Sequence, residues 1–440
     1  MAGKHPERIT AEAAAFLVKS GDWLDYGVTL NQPDAFDRAL GARITSLRGV
    51  WIRNCLSLRP RQPIEQDPDG SHAHLFNWHF SGYDRKKHDA GRCTYIPCNL
   101  GEIPGYYARF IERTDFAVLK AAPMDAAGFF DLGPTSLWHR AAIAHARVLI
   151  LEVTPQMPRV FGSDNRIHAS EVDYVIEGDD TPLPVLPAAE PSEVDTAVGR
   201  LIAGEIEDGA CLQVGIGGMP SAVTSVLLRS GVRDLGVHTE MLNDGILDLY
   251  LAGRVSGACK ALDPGKIVYS FALGCRILYE TVRDNDDFLL HPVDRTNMPD
   301  IIARNPKAVA INNTTMIDLQ GQASSETDGH RHISGTGGQL QFVRGAYASE
   351  GGKSFICLAS TYERKGVRKS RIALNLTAGN IVTTPRSDQM YVVTEYGIAN
   401  LKGKSVDQRA KAIIALAHPD FREGLEREVR EAGLIPRFCR

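Results

Sequence analysis

The acidic residue Glu240 stands directly after an apolar run that is typical of a buried strand, Leu235 to Thr239. A polar break follows, and a helical pattern of apolar residues then begins at Ile246. In an open parallel sheet, the strands deliver side chains to a crevice at their carboxyl ends, where ligands bind. The position of Glu240 therefore makes it a candidate reactive carboxylate.

A glycine-rich loop, Gly215-Ile216-Gly217-Gly218, lies one helix upstream of that strand. It follows the predicted strand Ala210 to Val214 and precedes a predicted helix that runs to Leu228, so strand, helix and next strand form a βαβ unit of about 30 residues. The two strands of such a unit are parallel and tend to be near neighbours. We therefore expect the loop and Glu240 at the same edge of the sheet.

The chemistry of the loop must come from its backbone, because it lacks both the dinucleotide-binding glycine spacing and the Gly-Lys-Ser/Thr of a P-loop. Exposed N–H groups can stabilise a phosphate or an oxyanion. An oxyanion site beside a carboxylate nucleophile is what acyl transfer requires. Two alternatives stay open: Glu240 could simply face the dipole of the next helix, and His238 could be a core histidine or an orienting partner.

Two groups of histidines could suggest a metal site: His72, His74 and His79, and the pair His330 and His332. No carboxylate or further histidine has a ligand-like helical spacing to them. We therefore predict no metal site.

The composition excludes several classes of partner. The 440 residues, 43% of them apolar, are too many for one ordinary core and predict two domains. The net charge is −4, from 49 basic and 53 acidic residues, and no long basic run occurs. This argues against nucleic acid or an anionic membrane as the main partner and favours a small-molecule ligand.

The cysteines are scattered, and no Cys-x-x-Cys pair occurs, which predicts reduced thiols used as small core residues and a reducing compartment. They are Cys55, Cys93, Cys98, Cys211, Cys259, Cys275, Cys357 and Cys439. No apolar run approaches the roughly 18 residues of a membrane span, and the N-terminus lacks the apolar core of a signal peptide. We therefore expect a cytoplasmic protein.

Strand-like runs alternate with helical patterns, which predicts an α/β protein with mostly parallel sheets. Among these runs are Val50 to Leu58 and Ile267 to Leu273. Four prolines between residues 181 and 191 can continue neither a helix nor a central strand. We therefore predict an N-terminal domain at 1–190 and a C-terminal domain at 191–440, the latter beginning with a capping box at Ser192.

Ordered motifs in the second half, with further segments in the first, resemble the acetyl-CoA hydrolase/transferase family over nearly the full length. The motifs are Gln213 to Pro220, Gly236 to Gly245, Gly335 to Phe342, Arg344 to Ala346, Gly351 to Ser354, Val392 to Ala399 and Ala417 to Arg422. The family resemblance implies two α/β domains of the CoA-transferase type, a fold shared with sugar-phosphate isomerases.

Three segments of the first half look closest to the butyryl-CoA and 4-hydroxybutyrate:acetate CoA-transferases. They are Asp25-Tyr26-Gly27, Phe80 to Arg85 and Asn99 to Pro104. We expect Asn77 to Phe80 and Tyr95 to Glu102 to line the acyl pocket.

Carried over by motif, the resemblance implies a catalytic role for Glu240 as the covalent nucleophile. The oxyanion donors would be the backbone N–H groups of Ile216 and Gly338. Asn297 would bind the CoA thioester arm, and Glu395 would support the active site. His238 is a further candidate for that support, and the loop glycines Gly215, Gly217, Gly218 and Gly337 would contribute to CoA binding.

One position departs from the family pattern. The second glycine loop usually continues into an aspartate, whereas this chain has Gln341 there. The departure puts in doubt any role for charge at that position but leaves the backbone donors of the loop intact.

The resemblance implies an enzyme that moves CoA between a short-chain acyl-CoA, such as butyryl-CoA, and a carboxylate such as acetate. The reaction would pass through an acyl-glutamyl anhydride and a glutamyl-CoA thioester. Coenzyme A would be a substrate, with no cofactor needed, and the protein would be a homodimer or larger homo-oligomer. The alternatives are an acyl-CoA hydrolase that uses the same glutamate and a non-catalytic CoA-binding module.

Overall fold

A computed structural model describes residues 5–187 and 190–435 of the chain. The elements of the first stretch are the strands β1 (Glu7–Arg8), β2 (Trp23–Val28), β3 (Val50–Cys55), β4 (Ala73–Asn77), β5 (Cys93–Tyr95), β6 (Phe116–Ala121), β7 (Phe129–Asp131), β8 (Val148–Val153), β9 (Arg166–His168) and β10 (Tyr174–Glu177), and the helices α1 (Ala11–Leu17), α2 (Ala35–Arg43), α3 (Gln62–Glu65), α4 (Gly82–Asp89), α5 (Ile103–Arg109) and α6 (His139–His145).

Between residues 190 and 296 the strands are β11 (Cys211–Val214), β12 (Gly236–His238), β13 (Met241–Leu242), β14 (Ile267–Tyr269), β15 (Phe271–Ala272) and β16 (Phe288–Leu290), and the helices are α7 (Glu193–Ala203), α8 (Gly218–Arg229), α9 (Asp244–Leu251), α10 (Arg276–Val282) and α11 (Val293–Thr296). From residue 297 onward the strands are β17 (Ala308–Asn313), β18 (Met316–Asp318), β19 (Ala323–Ser324), β20 (Thr327–Asp328), β21 (Arg331–His332), β22 (Lys353–Cys357), β23 (Thr361–Arg364), β24 (Val367–Ser370), β25 (Ile372–Ala373), β26 (Tyr391–Thr394) and β27 (Gly397–Asn400), and the helices are α12 (Pro299–Ile302), α13 (Gln339–Ala348), α14 (Val406–Ala415) and α15 (Pro419–Glu431).

The chain forms two compact units, and neither is one continuous stretch of sequence. The first contains the described residues up to 187 together with Glu240–Leu242 and Val268–Thr296, and the second contains the remaining described residues. The first boundary falls within the predicted proline-rich segment. The predicted domains, 1–190 and 191–440, are contiguous in sequence. The observed division differs, because two later stretches, one of which contains Glu240, belong to the first unit.

The first unit is built on a parallel sheet in the order β1-β10-β8-β6-β2-β3-β4-β5. The strands in its centre are almost continuously apolar and buried, as expected when helices cover both faces of a parallel sheet. The prediction of an α/β protein with mostly parallel sheets is confirmed.

The two later stretches join the first unit through strand pairing and apolar packing. β13 pairs in parallel with β15, and Met241 and Phe271 are buried in the same apolar cluster as Trp78. The hydroxyl of Tyr279 donates to the carbonyl of Pro184 at 2.8 Å. Burial of large apolar side chains stabilises the packing of these two stretches in the first unit, although they lie far from it in the sequence. The two units are therefore not contiguous in the chain.

Six strands of the second unit follow the order β12-β11-β17-β22-β26-β27. Their pairs are parallel except the last, in which β27 runs antiparallel to β26. The capping box at the start of α7 is confirmed, since Ser192 Oγ accepts the Asp195 N–H at 3.1 Å and the Asp195 carboxylate accepts the Ser192 N–H at 2.9 Å. Helix α7 therefore begins where the sequence predicts.

Two predicted strands are shorter than expected. β3 ends at Cys55, because Leu56 takes a left-handed φ of 51° that an extended strand cannot contain. The predicted strand Ile267 to Leu273 is divided into β14 and β15 at Ser270, whose N–H and hydroxyl bond to Glu240 and His291. In both places long-range contacts override a local apolar pattern.

The cysteines mostly match the prediction of small core residues. Of the seven within the described ranges, five are buried, Cys275 is half-buried and Cys259 is exposed. Cys439 lies outside the described residues. Within residues 5–187 and 190–435, the helices are too short or too polar to cross a bilayer.

Two helical glycines form a matched pair for testing the packing of the second unit. A Cβ at Gly345 in α13 would lie 2.5 Å from Ile302 Cβ, whereas a Cβ at Gly424 in α15 would meet no atom within 4 Å. We expect Gly345→Ala to destabilise the unit by about 1–3 kcal/mol through overpacking. Gly424→Ala should stabilise it by about 0.5–1 kcal/mol through helix propensity. Shifts of opposite sign in the urea midpoint would confirm the packing, and equal shifts would contradict it.

Candidate active site

The carboxyl ends of adjacent parallel strands gather most of the predicted site residues at one edge of the second unit. β11 pairs with β12 in the register Cys211 to Gly236 and with β17 in the register Val214 to Ile311. The first glycine loop follows β11, and His238 ends β12. The βαβ prediction of parallel, adjacent strands is confirmed, and the loop and His238 lie at the same edge.

Two asparagines hold the first glycine loop in place. Asn243 Nδ2 donates to the carbonyls of Val214 at 3.1 Å and Gly215 at 3.3 Å, while its Oδ1 accepts the Ile246 N–H and caps α9. Asn313 Nδ2 donates to the Ile216 carbonyl at 3.3 Å. Bonds to three successive carbonyls fix the orientation of the peptide units in the loop.

The glycines of this loop are required by its geometry at two positions. Gly217 has a φ of 113°, which side chains rarely adopt. A Cβ at Gly218 would lie 2.4 Å from the Asp195 carboxylate. The side chain of Ile216 is half exposed, and within the described ranges its N–H donates no hydrogen bond, so this N–H is available to a ligand.

The second glycine loop has the same features. Gly337 has a φ of 58°, and Gly338 stands at the start of α13. In the described part of the chain the Gly338 N–H has no hydrogen-bond acceptor. Gln339 anchors the helix start by donating from Nε2 to the Thr384 hydroxyl at 3.0 Å. Both predicted oxyanion donors therefore belong to loops that are fixed around a free N–H.

Gln341, the departure from the family pattern, points into the protein. It is buried, and its Nε2 contacts the sulfur of Met298 at 3.6 Å. The neighbouring Asn297 is fully buried. A neutral amide suits this enclosed position, where an unpaired aspartate would carry a desolvation cost.

Glu395 joins two strand ends. It follows β26, and its carboxylate accepts the Ser360 N–H at 2.9 Å and the Ser360 hydroxyl at 2.5 Å. Ser360 comes shortly after β22, the parallel neighbour of β26. Glu395 therefore links the ends of β22 and β26 at the same carboxyl edge of the sheet.

His238 is buried at the end of β12 and borders a small internal cavity. The cavity is also lined by Cys211, Gln213, Asn305 and Phe342. His238 is therefore part of the packed carboxyl edge of the sheet.

Glu240 follows Thr239 in the chain but belongs to the first unit. Its carbonyl oxygen accepts the N–H groups of Ser270 at 3.0 Å and Phe271 at 3.1 Å. Its carboxylate influences the buried thiol of Cys55, whose pKa is raised chiefly by burial and further by Cys98, Asp84 and Glu240. The backbone of Glu240 is therefore fixed, and it stands at the boundary of an apolar environment.

The predicted site residues are distributed over both units, and most of them belong to the second. Gly215, Ile216, Gly217, Gly218 and His238 belong to the second unit, as do Asn297, Gly337, Gly338 and Glu395, and Glu240 belongs to the first. Sequence reasoning missed the anchors Asn243, Asn313 and Ser360. Asn243 lies inside a family motif, but its bonds to the first glycine loop cannot be read from the residues around it in the sequence.

The histidines considered as metal ligands have separate partners. His72 Nδ1 bonds to the Leu47 carbonyl at 2.6 Å, and His74 Nε2 bonds to the Thr94 hydroxyl at 2.8 Å. Over residues 5–187 and 190–435, His, Cys, Asp and Glu side chains form no cluster of three or more suited to a metal ion.

Known proteins match this chain over nearly its whole length. Residues 4–187 match the acetyl-CoA hydrolase/transferase N-terminal domain, and residues 274–429 match the C-terminal domain of the same family. The butyryl-CoA:acetate CoA-transferase of Anaerostipes caccae is 42% identical, over 97% of this chain and 96% of that protein. The 4-hydroxybutyrate coenzyme A transferase of Clostridium kluyveri is 40% identical, over 96% of this chain and 97% of that protein.

A solved structure agrees in fold. RipA from Yersinia pestis superposes with a TM-score of 0.89 at 36% sequence identity, over 98% of each chain. The parallel sheets, the glycine loops at a carboxyl edge and these matches define an α/β enzyme of the CoA-transferase class. The chain belongs to the acetyl-CoA hydrolase/transferase family.

The two bonds from Asn243 to the first glycine loop can be removed without loss of the helix cap. In Asn243→Asp an oxygen still accepts the Ile246 N–H, but the donor to Val214 and Gly215 is replaced by a repelling carboxylate. We expect the melting temperature to change by less than about 4 °C, because Asp is as good a cap as Asn.

The kcat/KM for CoA transfer should fall at least about tenfold in this variant, since the loop loses its fixed orientation. The control is Asn400→Asp, in which the side chain still accepts the Lys402 N–H at the surface. Unchanged kcat/KM in Asn243→Asp would show that the loop does not contribute to catalysis.

Proposed function

We propose that this enzyme transfers CoA between a short-chain acyl-CoA, of the butyryl-CoA type, and a carboxylate such as acetate. The observation that carries the proposal is the near full-length similarity to CoA-transferases, together with a fixed glutamate at the position of the family motif. CoA acts as substrate, and the proposed reaction needs no cofactor.

The reaction starts when the Glu240 carboxylate attacks the thioester carbonyl carbon. The C–S bond breaks, CoA leaves as the thiolate, and an acyl-glutamyl anhydride remains. The thiolate then attacks the glutamyl carbonyl of this anhydride, which releases the first acid and leaves a glutamyl-CoA thioester. The acceptor carboxylate repeats these steps in reverse and restores Glu240.

The backbone N–H groups of Ile216 and Gly338 are proposed to stabilise the oxyanion of each tetrahedral intermediate. Each donor of this kind is worth about 3 kcal/mol of transition-state stabilisation. Their support is that both N–H groups are free in the described chain and that each stands in a loop held by side-chain bonds.

A carboxylate nucleophile suits transfer because each covalent intermediate keeps the thioester energy. Water that reached the anhydride would release that energy and turn the enzyme into a hydrolase. The apolar cluster around Met241, next to Glu240, favours exclusion of water and therefore transfer over hydrolysis. The CoA arm supplies remote contacts whose binding energy is available at the reacting carbon.

Glu395, Asn297 and His238 complete the proposed site in supporting roles. Glu395 holds two strand ends together through Ser360, and Asn297 is assigned to the CoA thioester arm by its motif. We also propose that the protein is cytoplasmic, and that it is a homodimer or larger homo-oligomer, as the family resemblance implies.

Loss of the Glu240 carboxylate tests the mechanism. Glu240→Ala should fold normally but lose CoA transfer by a factor of about 10⁴ or more, because the covalent route is closed. The matched control Glu280→Ala removes an exposed glutamate of the same unit and should retain activity.

Trapping locates the intermediate directly. With acyl-CoA present, borohydride should reduce, and hydroxylamine should cleave and label, the glutamyl thioester at residue 240, as read by peptide mass spectrometry. Transfer at the normal rate in Glu240→Ala would exclude this residue as the nucleophile.

Acetate dependence separates transfer from hydrolysis. Release of free CoA from butyryl-CoA should be slow without acetate, and addition of acetate should give acetyl-CoA with little free thiol, because the anhydride is shielded from water. Thiol release that is fast and independent of acetate would assign the enzyme as a hydrolase.

A further inference from the structure

The first glycine loop packs on the ends of two neighbouring strands of the second unit. Asn313 ends β17 and Cys357 ends β22, and the two residues are partners in the register of these parallel strands. The loop is tied to β17 at its start, because the Gly215 N–H donates to the Ile311 carbonyl at 3.0 Å. A Cβ at Gly217 would lie 3.1 Å from Asn313 Nδ2, so the loop lies directly on the Asn313 amide.

The side chain of Asn313 makes one hydrogen bond at each end of its amide. Its Nδ2 donates to the Ile216 carbonyl at 3.3 Å, and its Oδ1 accepts the thiol of Cys357, with Sγ at 3.0 Å. Within the described ranges these are the two hydrogen bonds of this amide. Asn313 is half-buried, so water competes for the amide once either bond is lost. The loop and the thiol are therefore joined through a single side chain.

The Cys357 thiol acts as a hydrogen-bond donor. Its side chain is fully buried, and burial, assisted by the charge of Asp195, raises the pKa of the thiol to about 12, so the sulfur keeps its proton at neutral pH. Sγ also lies 3.3 Å from the Asn312 carbonyl, a second acceptor for the same proton. A thiol is a poor acceptor for an amide N–H, whereas the amide oxygen accepts its proton. The thiol therefore favours the orientation of Asn313 in which Nδ2 faces the loop.

The peptide unit that Asn313 holds depends on such a bond. It joins Ile216 to Gly217, and a glycine restricts the rotation of its peptide unit less than other residues do. Asn243 holds the preceding peptide unit through the Gly215 carbonyl at 3.3 Å. With both carbonyls held, the backbone on either side of the Ile216 Cα is fixed, and the direction of the Ile216 N–H is fixed with it.

Resting on the proposed function, we infer that Cys357 and Asn313 form a positioning relay for the oxyanion donor Ile216. The thiol orients the amide, the amide holds the Ile216 carbonyl, and the held carbonyl fixes the direction of the Ile216 N–H. Both side chains act through the loop and are positioning residues. Catalysis gains because a donor that is already oriented needs no reorganisation when the oxyanion forms.

Removal of the thiol tests the relay in CoA transfer from butyryl-CoA to acetate by the full-length enzyme. Cys357→Ala should lower kcat about fivefold and keep the KM for butyryl-CoA within about twofold of the wild type, because the lost stabilisation belongs to the transition state. Cys357→Ser keeps a donor at this position and should restore kcat to within about twofold. Both variants lose the same buried sulfur, so their melting temperatures should fall by similar amounts.

A double-mutant cycle shows whether the thiol acts through the amide. Asn313→Ala alone should lower kcat about tenfold, because the Ile216 carbonyl loses its donor. In that background Cys357→Ala should lower kcat by no more than about twofold further, since the side chain through which the thiol acts is already absent. The same loss of about fivefold in both backgrounds would overturn the relay.

Cys211 provides the matched control. It is a buried cysteine of β11, the other neighbour of β17, and its thiol has no hydrogen-bond acceptor among the residues that the structure describes. Cys211→Ala should keep kcat within about twofold of the wild type. In Raman difference spectra, the S–H stretching band lost in Cys357→Ala should lie at lower frequency than the band lost in Cys211→Ala, because hydrogen-bond donation weakens the S–H bond.

Three further results would overturn the inference: an unchanged kcat in Cys357→Ala, a loss in Cys357→Ser as large as in Cys357→Ala, or S–H bands of Cys357 and Cys211 at the same frequency. Each leaves the proposed CoA transfer standing. Hydrolysis of butyryl-CoA without transfer to acetate would refute the proposed function. The relay would then still predict the same order of kcat among the variants, because hydrolysis also passes through an oxyanion.

Discussion

The two hydrogen bonds from Ser270 and Phe271 to the Glu240 carbonyl are the interaction on which the site depends. Glu240, Met241 and Leu242 belong to the first unit, while the residues before and after them belong to the second. The two bonds, at 3.0 and 3.1 Å, and the pairing of β13 with β15 attach this three-residue segment to the first unit. The main chain of Glu240, the proposed nucleophile, is therefore held by bonds within the first unit.

Local signals in the sequence predict the fold well where short-range contacts determine it. The capping box at Ser192, the βαβ unit around the first glycine loop and the start of α15 at Pro419 all match the structure. These features need only hydrophobic periodicity, capping chemistry and chain connectivity. The family motif also singles out Glu240 as the proposed nucleophile, and this assignment stays a prediction.

Other features depend on contacts that no local pattern records. The sequence predicts one strand from Ile267 to Leu273, yet Ser270 bonds to two distant residues and interrupts it. Asn243 has the pattern of a helix cap, and its second role is visible only once β11 lies beside it.

The contact between Gly218 and Asp195 has a consequence for how this sequence can evolve. The carboxylate that caps α7 occupies the space that a side chain at position 218 would need, at the start of α8. A larger residue at 218 has to displace the Asp195 carboxylate, and that displacement removes the bond from the Ser192 N–H in the capping box of α7. A substitution at 218 in the glycine loop therefore also changes the start of α7, so this glycine serves the stability of a helix as well as the geometry of the loop.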